Sequence, residues 1–194
     1  MKETILIIVA IIIIVVFILI HLNEIKYVEA YNSGRRYIVR SQPNPIESAN
    51  MLDNIYLKIF KLMNYINEKI MNTNYTNNLS KNIHNLNNKF NKIVFREDTK
   101  NNNFTSYTVN KGEEIVFCLR DKKTEKIHDI NEIMYVAIHE IGHVVCPDLG
   151  HTDLFWDINK LLLENAVEIG IYKYINYYYN PKQYCGMEIN ATLL

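Results

Sequence analysis

Residues 139–156, HEIGHVVCPDLGHTDLFW, decide how the rest of the chain is read. The first five, His139-Glu140-Ile141-Gly142-His143, place two histidines four apart. On a helix that spacing puts both imidazoles on one face, within reach of a single metal ion. Glu140, beside the first histidine, then stands where it can deprotonate a metal-bound water. Pro147 ends the helix, and His151 offers a third ligand once the chain has turned back. Imidazole nitrogens of this kind suit zinc, Zn2+.

Two residues compete for the third ligand position. His151 is preferred, because VVCPDLG at 144–150 gives the chain room to reverse and return an imidazole. Glu164 lies further on, on the next predicted helix, where it would share a face with Glu168. Cys146 is expected to be a small buried hydrophobe and not a ligand. Asp148 and Asp153 read as turn or cap residues before they read as acceptors for ligand imidazoles. Gly142 costs the helix about 1 kcal/mol in propensity, which implies that something approaches closely there.

Upstream of the motif, Asp129-Ile130-Asn131 supplies an N-cap, and Ile133, Met134, Ala137, Ile138 and Ile141 form one apolar face. Before that the period changes to two. Lys92–Arg96 reads as a strand, and Phe104–Val109 and Glu114–Leu119 flank the polar turn Asn110-Lys111-Gly112-Glu113, a hairpin signal. Zinc hydrolases of this type lay an extended peptide along such a strand, which points to a protein or peptide substrate. Met51, Ile55, Ile59, Leu62, Ile66 and Ile70 recur at helical spacing and predict a long amphipathic helix over 46–71. A weaker helix is predicted over 79–90, and a closing helix from Thr152 or Asp153 to about Ile175.

The N-terminus is different in kind. Ile5–Ile20 is an unbroken apolar run, ILIIVAIIIIVVFILI, extended by His21 and Leu22. At 1.5 Å per residue, roughly 18 residues span about 27 Å, close to a bilayer core. No small-x-small cleavage site follows, so an uncleaved anchor is expected over 1–22 in place of a signal peptide. Lys26, Arg35, Arg36 and Arg40 on its C-terminal side favour a cytoplasmic domain.

With 21 basic and 21 acidic residues the chain is neutral, so no nucleic-acid partner is expected. Its three cysteines, without CxxC spacing, predict no disulfide framework and fit a reducing compartment. Four N-x-S/T sequons, at Asn74, Asn78, Asn103 and Asn190, are what chance gives in so asparagine-rich a chain.

HEIGH followed by GHTDLFW resembles the WLM and SprT-like zinc metallopeptidases, in which an aromatic residue or pair follows the third histidine, here Phe155 and Trp156 after His151. Together with YIVR at 37–40, YTVNKGEEIVFCLR at 107–120 and YCGMEI at 184–189, the pattern looks like membrane-anchored WLM-like proteins of large DNA viruses. The resemblance implies a zincin fold, with His139, His143 and His151 on zinc and Glu140 as catalytic acid/base. One departure stands out: seven residues separate His143 from His151, where cellular members usually have five. Those cellular members act on proteins crosslinked to DNA, a substrate that a neutral, tethered chain gives no reason to carry over.

The sequence therefore predicts an α+β, zincin-like metallopeptidase domain, a small mixed sheet with a hairpin packed on metal-binding and flanking helices, plus an N-terminal transmembrane helix. The expected layout is an anchor at 1–22, a stalk at 23–45 and the domain at 46–194. The expected function is a single-pass, membrane-anchored zinc metallopeptidase acting through a zinc-activated water, with Glu140 as general base. The alternative is a catalytically silent zincin that binds peptides or serves as a structural membrane or virion protein. Nothing in the sequence sets the oligomeric state.

Overall fold

The computed structural model describes residues 2–22, 24–71, 81–84, 86–87, 90–100, 102, 104–191 and 193–194. Helix α1 (Lys2–Leu22) leads into strands β1 (Ile25–Glu29) and β2 (Arg36–Arg40), then helix α2 (Pro45–Met71). A 3-10 turn at Phe90–Lys92 precedes β3 (Val94–Glu97), and the hairpin β4 (Tyr107–Val109) and β5 (Glu114–Phe117) follows. Helices α3 (Ile130–Val145) and α4 (Asp153–Glu168) carry the motif, and a small hairpin, β6 (Lys182–Tyr184) with β7 (Met187–Ile189), comes last. Residues 81–84 and 86–87 are helical; the rest of the weak helix predicted over 79–90, and the sequons at Asn74, Asn78 and Asn103, lie largely outside the described residues.

Five strands form one mixed sheet in the order β1-β2-β3-β5-β4. β2, β3 and β5 run parallel, and both outer strands are antiparallel to their neighbours. Ile115 and Phe117 of the inner strand β5 are fully buried, and Phe95 of β3 nearly so, as the apolar run of β5 required. The long helix α2 covers the sheet with Leu52, Ile55, Ile59, Leu62 and Ile66, all inaccessible or almost so. α3 presents Ile133, Met134, Ala137, Ile138 and Ile141 to the same core. The expected α+β class with a mixed sheet is what the chain adopts.

Three expectations need correction. Residues 23–45 are not a stalk: Ile25–Glu29 pairs with Arg36–Arg40 in antiparallel register, and β2 then joins β3 inside the sheet. The sequence hid this because IKYVE is an edge strand, exposed along most of its length, whose state is fixed by its partner. The closing helix stops at Glu168, short of Ile175. Gly170, with φ +71, takes the left-handed conformation that ends a helix cheaply, and Ile171 and Tyr172 both donate their N–H back to the Ala166 carbonyl. Finally, Cys118 and Cys185 form a disulfide across 67 residues, leaving only Cys146 free. The bond ties the turn between β6 and β7 to the end of β5, alongside a hydrogen bond from Tyr184 Oη to the Cys118 carbonyl at 2.8 Å.

One buried ion pair fastens the sheet to α2. Arg120 Nε donates to Glu97 at 2.8 Å, both side chains 2% exposed, and its Nη2 reaches Ser48 Oγ at 2.7 Å. Glu97 also accepts the backbone N–H of Arg40, so each charge keeps several partners inside the fold.

α1 stands apart from this chemistry. Its large apolar side chains from Ile5 to Leu19 are 46–74% exposed. The transmembrane helix expected over 1–22 is not supported: among the described residues, no helix is long and apolar enough to cross a membrane.

Candidate metal centre

Asp129 caps α3, its carboxylate accepting the Asn131 N–H at 2.8 Å, and Cys146 closes the helix just ahead of Pro147. His139 and His143 therefore lie one turn apart on the face turned from the core. The chain reverses through 147–151, and Thr152 caps α4 by accepting the Phe155 N–H. This reversal returns His151 to the first two histidines. Ligand atoms of all three lie within 4.8 Å of one another, and His151 Nε2 is 3.0 Å from His139 Nε2.

Two aromatic side chains from the first turn of α4 brace the imidazoles. Phe155, fully buried, stacks on His143 with ring centres 4.3 Å apart and meets His139 and His151 at 4.9 and 4.8 Å. Trp156 stacks on His151 at 5.2 Å and 18°. Gly142 has the reason its helix position demanded: a Cβ there would stand 3.1 Å from Phe155 Cε2.

Burial pushes the His139 imidazole down to about 3, helped by repulsion from the other two histidines. His143 falls to about 4, again through burial first, then His151 and Lys111. Both rings are thus neutral at physiological pH, the state in which imidazole binds a metal. No carboxylate belongs to the cluster to compete for their nitrogens. Three converging, unprotonated, aromatically braced nitrogens fit a zinc ion, and His139, His143 and His151 are the residues that would hold it.

The other sequence candidates fall outside this cluster. Glu164 is exposed on α4, so of the two candidates for third ligand only His151 is brought to the site. Cys146 is buried, 1% exposed, as the small hydrophobe expected. Asp148 accepts from the Thr152 hydroxyl at 3.0 Å, a turn role.

Glu140 is 6% exposed and points back toward the sheet. Thr108 on β4 donates its hydroxyl to Glu140 Oε2 at 2.9 Å, with the Glu140 carbonyl also near, at 3.2 Å. Burial lifts the carboxyl to about 7, and the Thr108 hydrogen bond draws it partway down. Sequence reasoning missed Thr108; its only local signal is a polar residue between Tyr107 and Val109 in an apolar strand. The site opens into a cleft of about 950 Å3 whose walls include Tyr107, Val136, Leu149, Trp156, Met187 and Ile189. β4 borders it as the last strand of the sheet, and the β6–β7 hairpin with the following tail forms another wall, held by a hydrogen bond from Tyr135 Oη to the Ala191 carbonyl at 3.1 Å.

The chain has relatives among known proteins. An uncharacterized protein of Acanthamoeba polyphaga mimivirus is 39% identical over 172 residues, covering 89% of this chain and 86% of its own length. An uncharacterized protein of Invertebrate iridescent virus 3 is 39% identical over 105 residues, 52% of this chain and 58% of its own. Among solved structures, that of Wss1 from Saccharomyces cerevisiae aligns with 18% identity and a TM-score of 0.47, over 69% of this chain and 88% of that one. The WLM domain family matches residues 32–188, a span that runs from just before β2, through the β4–β5 hairpin and α3, into β7. With its three histidines and adjacent glutamate inside that span, the chain belongs to the WLM domain family.

Proposed function

We propose that the chain is a zinc metallopeptidase that hydrolyses peptide bonds in extended protein segments and is attached to a membrane through α1. The observation that carries this reading is the convergence of His139, His143 and His151 beside a buried Glu140. Membership of a family associated with zinc metalloprotease activity supports it. Zinc, when bound, supplies Lewis acidity for the scissile carbonyl and for the attacking water.

The protein's own groups do the rest. Glu140 takes the proton of the attacking water on a carboxylate oxygen and returns it to the leaving amine nitrogen as the C–N bond breaks. In the metal-free site burial raises this carboxyl above its ordinary value, which strengthens it as a proton acceptor. Thr108 holds the carboxylate in one orientation. The outer edge of β4 offers backbone N–H and C=O groups to a peptide laid along it. A buried carboxylate held by Thr108 beside the three histidines favours an enzyme over a silent peptide-binding zincin, which has no use for a general base.

Membrane attachment rests on the sixteen apolar residues Ile5–Ile20 and the exposure of the large side chains from Ile5 to Leu19. Such a run covers about 24 Å at 1.5 Å per residue, short of a core of about 30 Å, so it supports attachment to a bilayer and not a full crossing. The four basic residues that follow favour the cytoplasmic face. The partners of this reading are a protein substrate and a bilayer, with no nucleic acid.

The test is zinc content and cleavage of an unfolded protein by the full chain in detergent, against Glu140→Gln. Wild type holding about one zinc and cleaving, with the variant holding zinc and inactive, is the expected result. Equal inactivity of both across varied substrates refutes the enzyme. Flotation with lipid vesicles that survives Ile8→Asp with Ile12→Asp refutes the anchor.

A further inference from the structure

The β4–β5 turn does more than join two strands. Asn110, Lys111 and Gly112 all have positive φ, at +46, +55 and +105. A lysine in the left-handed region costs roughly 1 kcal/mol or more, and such strain persists only where surrounding contacts over-determine it. Those contacts run to the end of the metal helix. Lys111 Nζ donates to the Cys146 carbonyl at 2.9 Å and also to the Asp148 carbonyl. Gly112 packs so closely on Val144 that a Cβ would stand 2.7 Å from its Cγ1.

The two carbonyls mark where the chain leaves α3 and begins the reversal that returns His151. The Cys146 carbonyl, at the C-cap, is also one that the helix end leaves without an intrahelical partner, and a cation there answers the negative end of the helix dipole. The same hairpin carries Thr108, which orients Glu140. One turn thus reaches both halves of the centre, the base through Thr108 and the third histidine through Lys111.

We infer that Lys111 is a positioning residue for the third metal ligand: its ammonium holds the 146–148 backbone so that His151 meets His139 and His143. The inference rests on the zinc reading above. It accounts for how a seven-residue excursion between His143 and His151, long enough to sample many conformations, is held in one.

Two effects of the ammonium on zinc have opposite sign, which makes the test sharp. As a positive charge close enough to depress His143, Lys111 repels a cation. As a clamp, it favours one by preorganising His151. Removing it strengthens zinc binding if charge dominates and weakens it if positioning dominates. Supporting contacts outside the ligands themselves are typically worth about 10–100-fold in metal affinity, and a clamp acting through backbone belongs at the lower end.

The experiment is zinc affinity of the full chain by chelator competition, for wild type, Lys111→Met, Lys111→Arg and Lys111→Gly, with the thermal midpoint of each metal-free protein. Lys111→Met is expected to weaken zinc about tenfold, and Lys111→Arg to recover most of the loss. Lys111→Gly relieves the left-handed backbone while deleting the amine, so it keeps the fold if methionine is poorly accepted there, and it should weaken zinc similarly. In a His151→Ala background the loss caused by Lys111→Met should vanish or turn into a gain, because the clamp then has nothing to position while the charge still repels the metal. Zinc affinity equal to or above wild type in both amine-deleted variants overturns the inference, as does a loss that persists undiminished without His151. If wild type itself binds no zinc, the metallopeptidase reading falls instead.

Discussion

Gly142→Ala is the most informative single change, because two known magnitudes oppose each other at one atom. Alanine in a helix interior is favoured over glycine by about 1 kcal/mol. Here the added Cβ would lie 3.1 Å from Phe155 Cε2 and 3.7 Å from Asn159 Cβ. The first distance is about half an ångström inside the carbon–carbon optimum. Overpacking of this order costs roughly 1–3 kcal/mol in a core that cannot yield. Phe155 has little room, being fully buried between three imidazoles and the Trp156 ring at 5.1 Å. The helix gain should be cancelled or outweighed, leaving the metal-free protein between unchanged and about 2 kcal/mol less stable. Any retreat of the Phe155 ring displaces His143, stacked on it at 4.3 Å, so zinc affinity should fall about tenfold, or 1.4 kcal/mol. Urea denaturation of the metal-free protein gives the first quantity and chelator competition the second. Stabilisation by the full 1 kcal/mol with zinc binding intact would refute the idea that Phe155 is wedged.

Thr108→Val should lower kcat about tenfold with KM little changed, and Thr108→Ser should restore most of it; equal rates for all three proteins would remove Thr108 from the machinery. Cys118→Ser should cost about 4 kcal/mol, the loop-closure value for 67 residues, read as a shift in urea midpoint under oxidising conditions; no shift would mean the bond constrains nothing. His128 carries a pH signature. Burial holds its pKa below the ordinary value, so as pH falls through about 6.5 the unfolded chain takes up its proton first and the fold loses stability. Between pH 7 and 5.5 the metal-free wild type should lose more stability than His128→Gln, while His139 and His143 act alike in both; equal losses would count against a buried neutral His128.

What was legible in the sequence was whatever local chemistry decides. The HEIGH spacing, the Asp129 cap and Pro147 each act within a turn or two, and the structure has all three where they were expected. His151 was less local, yet it could be preferred over Glu164 because VVCPDLG at 144–150 leaves the chain room to reverse. Features built by distant partners stayed hidden. IKYVE is a strand only because Arg36–Arg40 lies beside it. Cys118 finds Cys185 because two hairpins dock, and no spacing rule anticipates that. Thr108 and Lys111 look like ordinary hairpin residues until α3 is packed against them. Gly170 was a local signal passed over, since the apolar stripe continuing to Ile175 suggested more helix than the backbone allows.

The stacking of Trp156 on His151 has a practical side. This is the chain's sole tryptophan, and its indole lies 5.2 Å from the ring that completes the histidine cluster. Intrinsic fluorescence is therefore a single-site signal, free of background from other indoles. Each preparation carries its own indicator of whether the third histidine is engaged, readable in a cuvette without label, crystal or substrate.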